Sequence, residues 1–136
     1  MPNPDPAQTE LGYTIVYVPN VAEALAFYER AFGIARGFLH ASGMYGELAT
    51  GATKLAFADE RQCPLAGQFA PNRPDGPAPA IEVAFVVSDV ARAYERALAA
   101  GAAGAAPPED KPWGQTVAYV RDLNGVFVEL CTAVRG

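Results

Sequence analysis

Apolar positions along this chain fall into the same rhythm twice. Residues 13–33, YTIVYVPNVAEALAFYERAFG, begin as a short apolar run and pass into a stretch where Val21, Leu25, Tyr28 and Phe32 recur at helical spacing. Residues 82–101, EVAFVVSDVARAYERALAAG, do the same, with Val90, Tyr94, Ala97 and Leu98 on the repeating face. Both segments run through V-x-(N/D)-V-A, which makes Asn20 and Asp89 the predicted N-caps, since a short side-chain acceptor satisfies the free N–H groups of a first turn. Asn20 with Glu23 three residues on matches a capping box. Gly33 and Gly101 are placed to end the helices at positive φ.

Matching strands follow each helix. In the first half they are RGFLHA, YGELAT and TKLAFAD, and in the second a weak AGAA stretch, WGQTVAYV and VFVELCT. Tyr45-Gly46-Glu47 lines up with Trp113-Gly114-Gln115, and Lys54-Leu55-Ala56-Phe57 with Phe127-Val128-Glu129-Leu130. The run Asp122-Leu123-Asn124-Gly125 predicts a hairpin turn, because Asn-Gly tolerates the positive φ angles such turns need. Residues 60–80 hold Pro64, Pro71, Pro74, Pro77 and Pro79 and read as a loop long enough to be a lid or a mobile linker. The pattern predicts one α+β domain, 1–136, made of two βαβββ modules at about 11–59 and 81–133.

This pattern resembles the vicinal oxygen chelate, or glyoxalase/bleomycin-resistance/dioxygenase, superfamily. The likeness is carried by V-P-N-V-A-E-A-L-A-F-Y-E-R-A-F-G after the first strand and by D-L-N-G-V-F-V-E-L near the end. It implies sheets curled into a cup, with helices on the convex side and ligand on the concave side. It also implies a homodimer in which the first module of one chain and the second module of the other complete a pocket. Enzymes of the superfamily hold a divalent metal at four positions around the cup, which fall here at Tyr13, Ala56, Glu82 and Glu129. Only Glu129 matches that pattern. Fe(II) dioxygenase sites need two imidazoles and a carboxylate, and catalytic zinc takes three protein ligands, commonly with imidazole among them. The chain's one histidine, His40, belongs to a different strand. Neither a metal nor another cofactor is expected.

Strand parity names the residues that share the concave face. Tyr13 brings Ile15 and Tyr17 with it, Glu82 brings Ala84 and Val86, and Glu129 brings Phe127 and Cys131. Tyr45 and Glu47 share a face, as do Trp113, Gln115 and Tyr119, while Phe38 and His40 supply a further wall. The expected ligand-binding set is therefore Tyr13, Tyr17, Phe38, His40, Tyr45, Glu47, Glu82, Trp113, Gln115, Phe127 and Glu129. Strand aromatics and a lone histidine are more often packed, hydrogen-bonded scaffold, and Cys131 a small hydrophobe. Glutamates inside I-E-V-A-F and F-V-E-L are harder to explain as scaffold, since carboxylates are seldom buried without a partner. Ser42 lies near His40 along the chain, and a nucleophile would still need a base and an orienting third group.

Composition narrows the partners. Half of the 136 residues are hydrophobic (51%) and 18% are charged, which describes a folded chain. A net charge of −5 without a basic run argues against nucleic acid and anionic membrane surfaces as partners and suits a neutral or cationic ligand. Two cysteines, Cys63 and Cys131, make no disulfide framework and point to a reducing, cytoplasmic setting. The start, MPNPDPAQTE, has no apolar signal-type segment, and no window is apolar enough to span a bilayer. The first reading is a metal-independent protein that sequesters a small molecule, an antibiotic or an aromatic or cationic metabolite, as bleomycin-resistance proteins do. Its rivals are an enzyme, either a glyoxalase-like lyase or isomerase with a weakly held metal or an acid–base site in which one glutamate moves a proton, and an accessory subunit whose cup is a dimer interface.

Overall fold

A computed structural model describes residues 8–134, so the proline-rich start at residues 1–7 lies outside the described residues. The first module is β1 (Tyr13–Val18), α1 (Val21–Phe32), β2 (Arg36–Leu39), β3 (Tyr45–Leu48) and β4 (Lys54–Asp59). The second is β5 (Glu82–Val86), α2 (Val90–Ala99), β6 (Ala103–Asp110), β7 (Thr116–Arg121) and β8 (Phe127–Cys131). Each module forms a four-stranded mixed sheet, in the orders β1-β4-β3-β2 and β5-β8-β7-β6. The first strand of each runs parallel to the last, and the other pairs are antiparallel. This is the α+β arrangement of two βαβββ units, with curled open sheets, that the repeat predicts.

The caps form where the short polar residues stand. Asn20 accepts from the Glu23 N–H at 3.0 Å and Asp89 from the Arg92 N–H at 3.1 Å. Gly33 ends α1 at φ 71°, whereas α2 is capped by right-handed Ala100 and Gly101 follows it at φ 110°. The inner faces carry Val21, Leu25 and Tyr28, and Val90 and Ala97, all buried, while Phe32, Tyr94 and Leu98 are partly buried. One core serves both modules. Tyr28 and Phe32 of α1 meet Phe85 of β5, with ring centroids 6.2 and 5.4 Å apart. The Tyr28 hydroxyl donates to Asp122 at 2.6 Å, a buried bond between the modules. At the helix ends Arg96 donates to the carbonyls of Arg30 (3.1 Å) and Glu29 (3.4 Å), and Arg30 returns a bond to the Ala100 carbonyl (3.4 Å).

Three expectations change. WGQTVAYV is not a strand throughout, because Pro112 lacks an N–H and Gly114 turns the chain at φ 88°, so β7 begins at Thr116. With Ala58 and Cys131 equivalent, the pairings Tyr45↔Ala58 and Val117↔Cys131 match Tyr45 to Val117, four residues beyond Trp113. In the turn Asp122–Gly125 only Gly125 takes positive φ (89°), so the connection uses a glycine bulge instead of a two-residue Asn-Gly turn. Finally, the proline-rich linker has no helix or strand of its own but is clasped in its middle. Buried Glu60 receives both ends of the Arg73 guanidinium, at 2.7 and 2.5 Å, which holds its carboxyl below the usual range. Asn72 donates to the Tyr17 carbonyl at 3.0 Å, and Arg121 reaches the carbonyls of Gly76 (2.7 Å) and Arg73 (3.4 Å).

Candidate functional site

The predicted residues gather in two clusters, one on each sheet. On the first, the Phe38, Tyr45 and Tyr13 rings form a row, with centroids 6.3 and 6.4 Å apart. Tyr45 donates to Glu47 at 2.7 Å. Burial, then the bond and charge of Glu47, push the Tyr45 hydroxyl up to about 12. His40 stands edge-on to Phe38 at 6.3 Å, and its Nδ1 lies 2.7 Å from the Ser42 hydroxyl and 3.0 Å from the Ser42 N–H. The two do touch, but as a tight exposed turn. Their contacts there are with each other and the local backbone, which is scaffold geometry and not that of an activated nucleophile.

The second cluster is built on a carboxyl pair. β5 and β8 pair with Glu82 opposite Phe127 and Ala84 opposite Glu129, so Glu82 and Glu129 are diagonal neighbours on one face. Glu82 is exposed at the sheet edge, and partial desolvation followed by the neighbouring Glu129 raises its pKa. Glu129 also accepts from the Tyr119 hydroxyl at 3.0 Å, and Tyr119 is pushed up to about 12, with burial the leading cause. Burial and then Glu129 push the Cys131 thiol up to about 11, so it is no ready nucleophile. The modules thus differ in where the carboxylate sits. Register makes Glu47 equivalent to Tyr119 and Ala56 to Glu129.

Beside this pair lies an open hollow of about 710 Å³, lined by Ile81, Glu82, Ala106, Tyr119, Phe127 and the end of the linker. Gln115 and Trp113 continue the row past the strand end. Buried Gln115 sits beside Cys131, donates to the Thr132 carbonyl at 2.9 Å, and accepts from the Trp113 indole at 2.8 Å. Trp113 is itself 60% exposed and stands outside the lining of the large hollow. A further hollow of about 240 Å³ joins the modules under the linker, between Tyr17 and Glu82. Phe69, which stacks on Tyr17 there, is invisible to a periodicity reading because the linker has no period.

The four metal positions that the resemblance implies, Tyr13, Ala56, Glu82 and Glu129, do not fit a metal. Ala56 is fully buried and brings no donor atom, Tyr13 packs with Tyr45, and only the two neighbouring carboxyls Glu82 and Glu129 remain. Among the described residues, no three or more His, Cys, Asp or Glu side chains gather as a ligand set. Nor is any helix long and apolar enough to cross a membrane.

Similar folds exist among solved structures. A glyoxalase-related enzyme from Fulvimarina pelagi is 21% identical with a TM-score of 0.77, over 93% of this chain and 89% of that one. A glyoxalase/bleomycin resistance protein/dioxygenase family enzyme from Burkholderia phytofirmans PsJN is 19% identical with a TM-score of 0.76, over 93% and 100%. TioX from Micromonospora sp. ML1 is 25% identical with a TM-score of 0.70, over 91% and 98%. No curated protein matches the chain. The family model described as Glyoxalase/Bleomycin resistance protein/Dioxygenase superfamily matches residues 10–130, both modules and the linker between them. The duplicated βαβββ architecture and that match agree: the chain belongs to the glyoxalase/bleomycin resistance protein/dioxygenase superfamily.

Proposed function

We propose that this chain captures a flat aromatic or cationic small molecule, an antibiotic or a metabolite, on its concave face without a metal. The observation that carries this reading is the Glu82–Glu129 pair beside a hollow of about 710 Å³ walled by Tyr119 and Phe127. Two adjoining carboxyls repel one another when both are ionised, and a cation or N–H donor relieves that. Aromatic faces favour flat and cationic partners. A homodimer completes the pocket in this proposal, bringing Tyr13 and Tyr45 of one chain toward Glu82 and Glu129 of the other. Its support is the free edge of β1 and of β5, with Tyr13 56%, Ile81 64% and Val86 66% exposed along them. Free Cys63 and Cys131 suit a reducing compartment such as the cytoplasm.

A second reading, a lyase or isomerase in which Glu82 moves a proton, is favoured by the raised pKa of that carboxyl. Calorimetric titration with 1-naphthylmethylammonium separates them. Capture predicts saturable binding of the unchanged probe, about tenfold weaker in Glu129→Gln, and weakening as pH falls and Glu82 takes up its proton. Affinity untouched by Glu129→Gln and by Glu82→Gln would refute it. For the shared pocket, mixing Tyr13→Ala with Glu129→Ala chains restores one intact site in the heterodimer. A monomer in sedimentation that still binds one probe per chain overturns the dimer.

A further inference from the structure

The smaller hollow has a construction of its own. Ile15 and Tyr17 of β1 form one side, Phe69 and Pro79 of the linker the other, and Ile81 and Glu82 lead into the second module. Pro79, Ile81 and Glu82 line the large hollow as well, so the two spaces adjoin with the Glu82 carboxyl at their junction. Phe69 lies flat on Tyr17, with centroids 4.8 Å apart and planes 15° from parallel. Its neighbours Gln68 and Ala70 are exposed while Phe69 is half-buried, so the linker turns this one ring inward. Immediately beyond, the bonds of Asn72 to Tyr17 and of Arg73 to Glu60 hold the linker against the sheet edge. Phe69 is therefore held at the hollow by clasps from the linker to β1 and to the end of β4, none of which uses the carboxyl pair.

Size and chemistry name the guest. An apolar cavity of about 150 Å³ takes up benzene. At about 240 Å³ this one has room for one or two fused rings. Its walls are aliphatic and aromatic apart from Thr14, Asn72 and the carboxyl at its mouth. We propose that the linker hollow is an aromatic subsite with Phe69 as its specificity-determining residue, so that the ligand joins a cationic or donor head at the carboxyls to a ring-bearing arm against Tyr17 and Phe69. This rests on the larger hollow being the binding site, and it adds what that reading lacks: a two-part ligand.

Three probes test it by titration: n-propylammonium, 1-naphthylmethylammonium and neutral 2-naphthalenemethanol. Wild-type protein should bind naphthylmethylammonium about tenfold or more tighter than propylammonium, the scale of an added aromatic contact. Phe69→Ala should abolish that preference while leaving propylammonium unchanged, and Phe69→Tyr should restore it. Naphthalenemethanol should bind wild-type protein, lose its binding in Phe69→Ala and keep it in Glu129→Gln. A preference for naphthyl that survives Phe69→Ala, or naphthyl probes that do not bind wild-type protein, overturns the subsite. Ammonium affinities that ignore Glu129→Gln, with naphthalenemethanol still lost in Phe69→Ala, break the head-group reading alone and leave the aromatic subsite supported.

Discussion

Replacing Tyr28 by Phe removes a single hydroxyl from the seam between the modules. The ring is 1% exposed and packs against Phe32 and Phe57 at 5.0 Å, contacts that Phe keeps. What is lost is the 2.6 Å bond to Asp122 Oδ2. The other oxygen, Oδ1, already serves the N–H groups of Asn124 and Val126, so Oδ2 is left buried without its donor. A bare buried acceptor costs about 1–3 kcal/mol, and a charged one belongs toward the top of that range, so about 2 kcal/mol is expected near neutral pH. For a chain of this size that is a fall of about 8 °C in Tm. The pH dependence gives the sharper test. Burial raises the Asp122 pKa, so as pH falls the folded protein binds that proton before the unfolded chain does. Without the Tyr28 donor the folded value rises further, and protonation then removes the buried charge that made the variant costly. Urea unfolding of both proteins should show the gap shrinking to less than about 1 kcal/mol as Asp122 is protonated. A gap that is the same at acid and neutral pH, or below about 0.5 kcal/mol throughout, refutes the account.

Arg73→Met should lower Tm, the cost of losing the Glu60 clasp, and make the linker the first site of limited proteolysis. Because Arg73 lowers the Glu60 pKa, that cost is present above the ordinary glutamate value of 4.5 and fades as pH falls below it. Gly125→Ala should also free the linker, since its Cβ would run into the Arg73 carbonyl and its φ of 89° disfavours any side chain; unchanged proteolysis would contradict this. Glu82→Gln should raise Tm at about pH 8, where wild-type Glu82 is charged beside Glu129, and leave it unchanged at about pH 4, where both carry a neutral group. Acrylamide should quench Trp113, the single tryptophan, and a saturating probe that gives no protection would assign it to the scaffold.

Helix faces and strand parity were legible because each leaves a period in the chain. Val21, Leu25 and Tyr28 point inward at helical spacing, and Glu82, Phe127 and Glu129 share a sheet face as alternation requires. The pairing of Tyr45 with Trp113 failed for a physical reason. β6 is eight residues long against four for β2, and its Pro107-Pro108 pair falls at a register shift on an edge strand, where no ladder bond is needed. The longer hairpin displaces Trp113 from the strand, and nothing periodic in AGAAPPED announces it. Phe69, Arg73 and Asp122 stayed hidden because their partners lie in other elements. Tyr17, Glu60 and Tyr28 meet them only once the sheets are folded.

The arginines crossing the two helix ends bear on how far the chain depends on being continuous. Arg30 and Arg96 stand in the same tripeptide, Tyr28-Glu29-Arg30 and Tyr94-Glu95-Arg96, and each satisfies carbonyls at the end of the other helix. With the Tyr28–Asp122 bond and the single core, that contact joins the two modules through residues outside the linker. The linker tethers modules that already grip each other elsewhere, so two polypeptides cut within residues 61–70 and produced together should find each other and reassemble.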